Sequence, residues 1–228
     1  MTKARMMLLL FPVTLVLLLL IPAASAQTIM NGSFEAVQIG PPFVSSNPLD
    51  IPGWTRGGAP GDGSLWAIGY ADCCGNVTTA GDGNQFVTLG GGYLNPGTAD
   101  WFTTITGLTP GASYDLSFMT ATEQGPNFPG PQFEQTMTVG FLSGSSTASQ
   151  SFTSPLSSTD YWRTWVTQDY TFVASAPSAV VDFSVSNQAD DMGLDNVKIA
   201  ASTPEPATLL LLGSGLLGMA GAIRRKLT

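Results

Sequence analysis

The sequence predicts an all-β protein, an antiparallel β-sandwich, and three observations carry that prediction. Residues 27–203 hold 22 of the 26 glycines and 12 of the 16 prolines, a density that breaks helices and punctuates short strands. No apolar stripe of period 3.6 persists there for three turns. Alternation of apolar and polar residues recurs instead, the mark of strands with one buried face.

Taken in order, the strands predicted early in the chain are Leu65–Tyr70, Gln85–Leu89 and Trp101–Ile105. Tyr114, Leu116 and Phe118 then share one face of a strand, and Thr136–Leu142 forms the next. Tyr170 with Phe172, and Val181 with Phe183 and Val185, mark two more, and Gly193–Ile199 closes the series. Turn chemistry separates them, as in Gly81-Asp82-Gly83 and Thr109-Pro110-Gly111. The proline-rich stretch Gly125–Pro131 and the Ser/Thr-rich stretch Ser143–Ser158 read as exposed loops. Trp54, Trp101 and Trp165 read as core. About nine or ten short strands over this length fit two packed sheets.

Both ends read as addresses. Lys3 and Arg5 precede an apolar run, Met6 to Ile21, and Ala24-Ser25-Ala26 offers a small-x-small cleavage site. Residues 1–26 are therefore predicted as a signal peptide cut between Ala26 and Gln27. At the other end Pro204-Glu205-Pro206 precedes Ala207–Ile223, an uncharged and mostly apolar stretch, and then Arg224, Arg225 and Lys226. Its seventeen residues sit at the lower limit for a transmembrane helix. The basic cluster would stay cytoplasmic, leaving the preceding domain outside. The division expected is 1–26, a β-sandwich at 27–201, and a C-terminal unit at 202–228.

Charge sharpens this picture. The chain carries a formal −8, but residues 27–203 hold three basic residues against fifteen acidic ones, a net of −12. Such a domain is no nucleic-acid binder. The absence of histidine excludes a Ser-His-Asp triad and a His-ligated zinc. No nucleophile elbow or phosphate loop occurs in residues 27–203, and no pair of carboxylates stands out for glycoside hydrolysis. The domain reads as non-catalytic.

The tail resembles the PEP-CTERM sorting signal of exopolysaccharide-producing Gram-negative bacteria: Pro204-Glu205-Pro206, an apolar helix and a terminal basic cluster, in that order. The resemblance implies a precursor anchored in the inner membrane and recognised by a membrane-embedded exosortase. The enzyme then removes the tail and delivers the protein to the cell surface or extracellular matrix. A retained anchor of the same topology is the alternative.

Four further motifs fall in a familiar order: Asn31-Gly32-Ser33-Phe34-Glu35, Pro52-Gly53-Trp54, Gly107 through Tyr114, and Gly193-Leu194-Asp195-Asn196-Val197. Together they resemble the galactose-binding-like jelly rolls, which include many carbohydrate-binding modules and the DUF642-like domains. That resemblance implies association with extracellular polysaccharide. It also implies a structural Ca²⁺ held by Glu35 and Asp195, with Asp190 and Asp191 as further oxygen donors; the alternative is that Glu35 caps backbone amides. Trp66, Tyr70, Tyr161 and Trp162 are the aromatics expected to meet sugar. Cys73 and Cys74, the only cysteines, are adjacent: a vicinal disulfide, two buried thiols and an intermolecular bridge all remain open. The functional alternatives are a structural coat or adhesion module without a glycan site, and a secreted glycan hydrolase.

Overall fold

A computed structural model describes residues 27–37, 44–45, 51–58, 65–67, 78–90, 97–123, 134–154, 162–188, 191–202 and 215. Their strands are β1 (Val44–Ser45), β2 (Trp54–Gly58), β3 (Leu65–Ala67), β4 (Gln85–Leu89), β5 (Gly97–Thr106), β6 (Ser113–Thr122), β7 (Gln135–Ser143), β8 (Ser146–Ser154), β9 (Val166–Val173), β10 (Ser178–Gln188) and β11 (Met192–Ala201). They form a six-stranded sheet, β1-β3-β4-β11-β6-β9, facing a five-stranded sheet, β2-β5-β10-β7-β8. Every pairing is antiparallel. This is the sandwich that alternation predicted.

The inward rows close the core. Leu116 and Phe118 of β6 meet Val139 of β7, Phe152 of β8 and Val181 and Phe183 of β10, all buried. Phe118 stands edge-on to both Phe152 and Phe183 at 5.1 Å, a favoured aromatic geometry. Trp54 and Trp101 are core as expected, while Trp165 is half-buried. At the turn between β5 and β6 the Thr109 amide donates to the Tyr114 hydroxyl at 2.7 Å, so the Gly107–Tyr114 motif is a braced corner.

One expectation fails. Much of Ser143–Ser158 is not a loop: Ser146–Ser154 is β8, in unbroken register with β7 from Ser143↔Ser146 to Gln135↔Ser154. The inward positions of this edge strand include Ala148 and Gln150, and only Phe152 and Ser154 are buried. With polar residues on both faces, the strand shows no alternation to detect. Gly144 at φ 58 makes the first position of its two-residue hairpin loop.

The outer face of the six-stranded sheet is covered by the chain itself. Phe86, Ala121 and Trp162 form a second buried cluster, with Ala80 and Trp165 packed against it. All five residues of β4 are buried in consequence. Among the described residues no helix is long and apolar enough to cross a membrane. The signal peptide expected at 1–26, the loop expected at Gly125–Pro131, and the helix expected at 207–223, apart from Gly215, fall outside the described residues.

Candidate functional site

The N-terminal motif is a clasp between the two ends of the sandwich. Asn31 and Phe34 adopt left-handed φ values of 54 and 58, curling the chain into a tight turn. Its Gly32 carbonyl accepts the Val197 amide at 2.8 Å, and a Cβ at Gly32 would collide with the Val197 carbonyl. The Asn31 carbonyl accepts the Trp54 indole N–H at 3.0 Å, and Phe34 packs on Trp54 with ring centroids 4.8 Å apart. Three motifs far apart in sequence thus meet at one place.

Glu35 and Asp195 converge there on one turn, Gly81–Gln85. Glu35 Oε1 accepts the amides of Asn84 at 2.6 Å and Gln85 at 2.7 Å. Asp195 Oδ2 accepts the Asp82 amide at 2.8 Å, and its Oδ1 accepts that of Asn196 at 2.6 Å. A bulge in β11 after Asp195, with Asn196 at φ 52, aims this carboxylate. Asp195 is 0% exposed. Burial pushes its carboxyl up to about 8, and the nearby Asp82 charge adds to this, against amide hydrogen bonds that favour the charged form. Lys198 stands 4.0 Å from Asp82 across exposed surface. Amide capping by Glu35 is therefore real. Among the described residues no three acidic, cysteine or histidine side chains gather as a metal-binding group.

Of the four aromatics expected to meet sugar, Trp162 is the one whose side chain is described. Trp162 is 0% exposed: its ring lies 5.6 Å from Phe86 and directly over Gly193, where a Cβ would stand 2.9 Å from Trp162 Cδ1 and 2.8 Å from Trp165 Cη2. It is a core residue rather than a platform, and Gly193 is a glycine because two tryptophans cover it. Trp66 lies in β3, paired with Phe86 of β4. Its side chain, and the residues Tyr70, Cys73, Cys74, Tyr161 and Asp190, lie outside the described residues, as do Ala26, Pro204-Glu205-Pro206 and Arg224-Arg225-Lys226.

The outward face of the five-stranded sheet carries residues the sequence did not single out. Register builds one row across all five strands: Thr55, Phe102, Asp182, Gly140 and Ser149. A second runs Gly57, Asp100, Ser184, Thr138 and Ser151, and a third Thr104, Val180, Leu142 and Thr147. A groove of about 610 Å³ opens here, lined by Gly140, Leu142, Thr147, Ser149, Val180 and Asp182 among others. Asp182 Oδ1 is buried there with no hydrogen-bond partner among the described residues. Burial, and secondarily the Asp100 charge, push the Asp182 carboxyl up to about 6. Two signals could have flagged the site: a lone charge inside an apolar strand, and a glycine in mid-strand, which often marks close approach of a ligand.

Comparison with known proteins adds two findings. Residues 202–226 match the PEP-CTERM protein-sorting motif. The carbohydrate-binding module TmCBM61, solved with β-1,4-galactotriose, is similar with a TM-score of 0.51 and 14% identity, over 78% of this chain and 100% of that one. An arabinose-bound α-L-arabinofuranosidase, MgGH51, gives a TM-score of 0.50 and 11% identity, over 80% of this chain but 27% of that chain. At such identities the likeness is one of fold. No curated protein sequence matches the chain.

Proposed function

We propose that this is an exported, exosortase-processed protein of the cell surface or extracellular matrix, whose sandwich associates with extracellular polysaccharide without catalysis. The sorting motif at residues 202–226 supports the delivery half: it marks an exported chain handed to an exosortase. On this reading residues 1–26 are a signal peptide and residues 207–223 anchor the precursor in the inner membrane of a Gram-negative bacterium until the tail is removed.

The observation that carries the binding half is the match of the whole sandwich to a carbohydrate-binding module over that module's full length. The test is a glycan array probed with the full chain in mild detergent, with the host's own exopolysaccharide among the spots. Specific retention on one glycan class is expected. Failure to bind any spot would leave a coat or adhesion module and overturn the proposal.

Ca²⁺ at the clasp belongs to the same reading. The donor chemistry suits a hard cation: Glu35 and Asp195 reach one turn from the two ends of the domain, and the buried Asn196 Oδ1 has no hydrogen-bond partner among the described residues. The wholly buried Asp195 carboxyl, pushed up to about 8, is a group that a dication would hold ionised. When bound, the ion would tie the terminal segments together, with its remaining oxygens drawn from backbone carbonyls or water. Calorimetric titration of the chelator-treated protein with Ca²⁺ should give saturable binding that Asp195→Ala abolishes. No heat of binding removes this part of the proposal.

A further inference from the structure

We infer that the groove on the open face of the five-stranded sheet, lined by Asp182, Gly140 and Ser149 with Phe102 next to Asp182 in the same row, is a binding site for a segment of neutral polysaccharide. This rests on the polysaccharide-binding reading above and places it on side chains. The two outer faces of the sandwich differ: one is sealed by Phe86, Trp162 and Trp165, while on the other Leu142 is 46% exposed beside the groove.

The chemistry of the row selects the occupant. Asp182 lines the groove with a carboxylate whose Oδ1 has no hydrogen-bond partner among the described residues, a group to which a sugar hydroxyl can donate. Ser149 and Thr147 line the groove with further hydroxyls, and Leu142 and Val180 offer apolar contact for the C–H faces of sugar rings. Phe102 pairs with Asp182 on the neighbouring strand, so an aromatic ring and a carboxylate stand side by side. The groove lining lies on β10, β7 and β8, and the row continues over β5 and β2 to about 19 Å at about 4.8 Å per strand, the length of a short oligosaccharide laid across the strands.

Charge narrows the class. The charged residues in the strands of this sheet are Arg56, Asp100 and Asp182. Arg56 pairs with the buried Trp101, in the inward rows, so the open rows carry two acids and no base. A uronate-rich or sulfated polymer would meet repulsion there. A neutral, hydroxyl-rich chain would not.

Gly140 makes the trough. The atoms nearest to a Cβ built there are Asp182 Cβ at 3.6 Å, Asp182 Oδ2 at 3.7 Å and the Asp182 carbonyl at 3.8 Å, ordinary contacts that demand no movement of the fold. Valine suits a strand better than glycine. Gly140→Val therefore puts a branched side chain into the groove from a Cβ that the sheet accommodates. Asp182→Asn keeps the shape and removes the carboxylate.

The experiment uses the full chain and the neutral glycan it retains best on the array. Titration calorimetry should show affinity at least tenfold weaker for Gly140→Val and for Asp182→Asn, with melting temperatures no lower than that of the unaltered protein. Affinity unchanged in both variants overturns the trough and leaves the polysaccharide reading standing. Retention of acidic glycans alone overturns the neutral class. Absence of any glycan binding by the unaltered chain removes the underlying reading, and the trough with it.

Discussion

Replacing Trp162 with alanine separates a structural role from a binding role. The side chain is 0% exposed, and its ring fills the space between Phe86 and Gly193 on the outer face of the six-stranded sheet. A buried tryptophan hides about 150–250 Å². At about 25 cal/mol per Å² that is roughly 4–6 kcal/mol, of which alanine retains a small part. Partial collapse of the cavity leaves a cost of about 3–5 kcal/mol, the usual range for such truncations. The backbone hydrogen bonds at this residue survive the change: its amide donates to Thr122 and its carbonyl accepts the Thr79 hydroxyl. For a domain of this size each kcal/mol moves the melting temperature by about 2–4 °C, so a drop of roughly 6–20 °C is expected. Near-ultraviolet circular dichroism through a thermal ramp measures it. Trp162→Phe should fall by less than half as much. A glycan platform behaves in the opposite way, losing affinity at constant melting temperature; a shift under 2 °C with lost binding would refute the core assignment.

Three further outcomes are expected. Gly32→Ala forces a methyl group against the Val197 carbonyl, a backbone atom that cannot yield, so it should cost more than the roughly 1–3 kcal/mol of ordinary overpacking, read as a lower urea midpoint. Asp182 is held at about 6 when folded against about 3.9 unfolded, so the native state retains a proton through that window and stability falls as pH rises from about 4 to 6. Asp182→Asn should therefore be the more stable protein above pH 6, with the advantage vanishing below pH 4; urea midpoints at pH 3.5 and 7.5 that shift equally would contradict this. Mass spectrometry of the surface fraction should find a mature chain that starts at Gln27 and ends near Thr203, and an intact Arg224-Arg225-Lys226 tail would rule out processing.

How much was legible in advance follows from which interactions are local. The sorting motif is a linear address, read by its order of residues, and its match at residues 202–226 needs no fold. Strands with one buried face announce themselves by alternation, as in Tyr114-Asp115-Leu116-Ser117-Phe118, whose burial in β6 alternates in step. Where both faces are polar the signal vanishes, and β8 was hidden for that reason. Aromatic residues gave no such cue, because a tryptophan suits a core and a sugar site equally; only the packing of Phe86 over Gly193 placed Trp162 inside.

The sequence by itself determined that the domain is acidic, all-β and followed by a sorting motif, because composition, short-range periodicity and residue order suffice for those properties. The tertiary structure alone decided which residues share a site. Glu35 and Asp195 lie 160 positions apart and meet because both cap the turn before β4. Gly140, Ser149 and Asp182 line one groove, with Phe102 beside Asp182, because antiparallel register sets them in a row, and register is a pairing between strands that no single segment encodes.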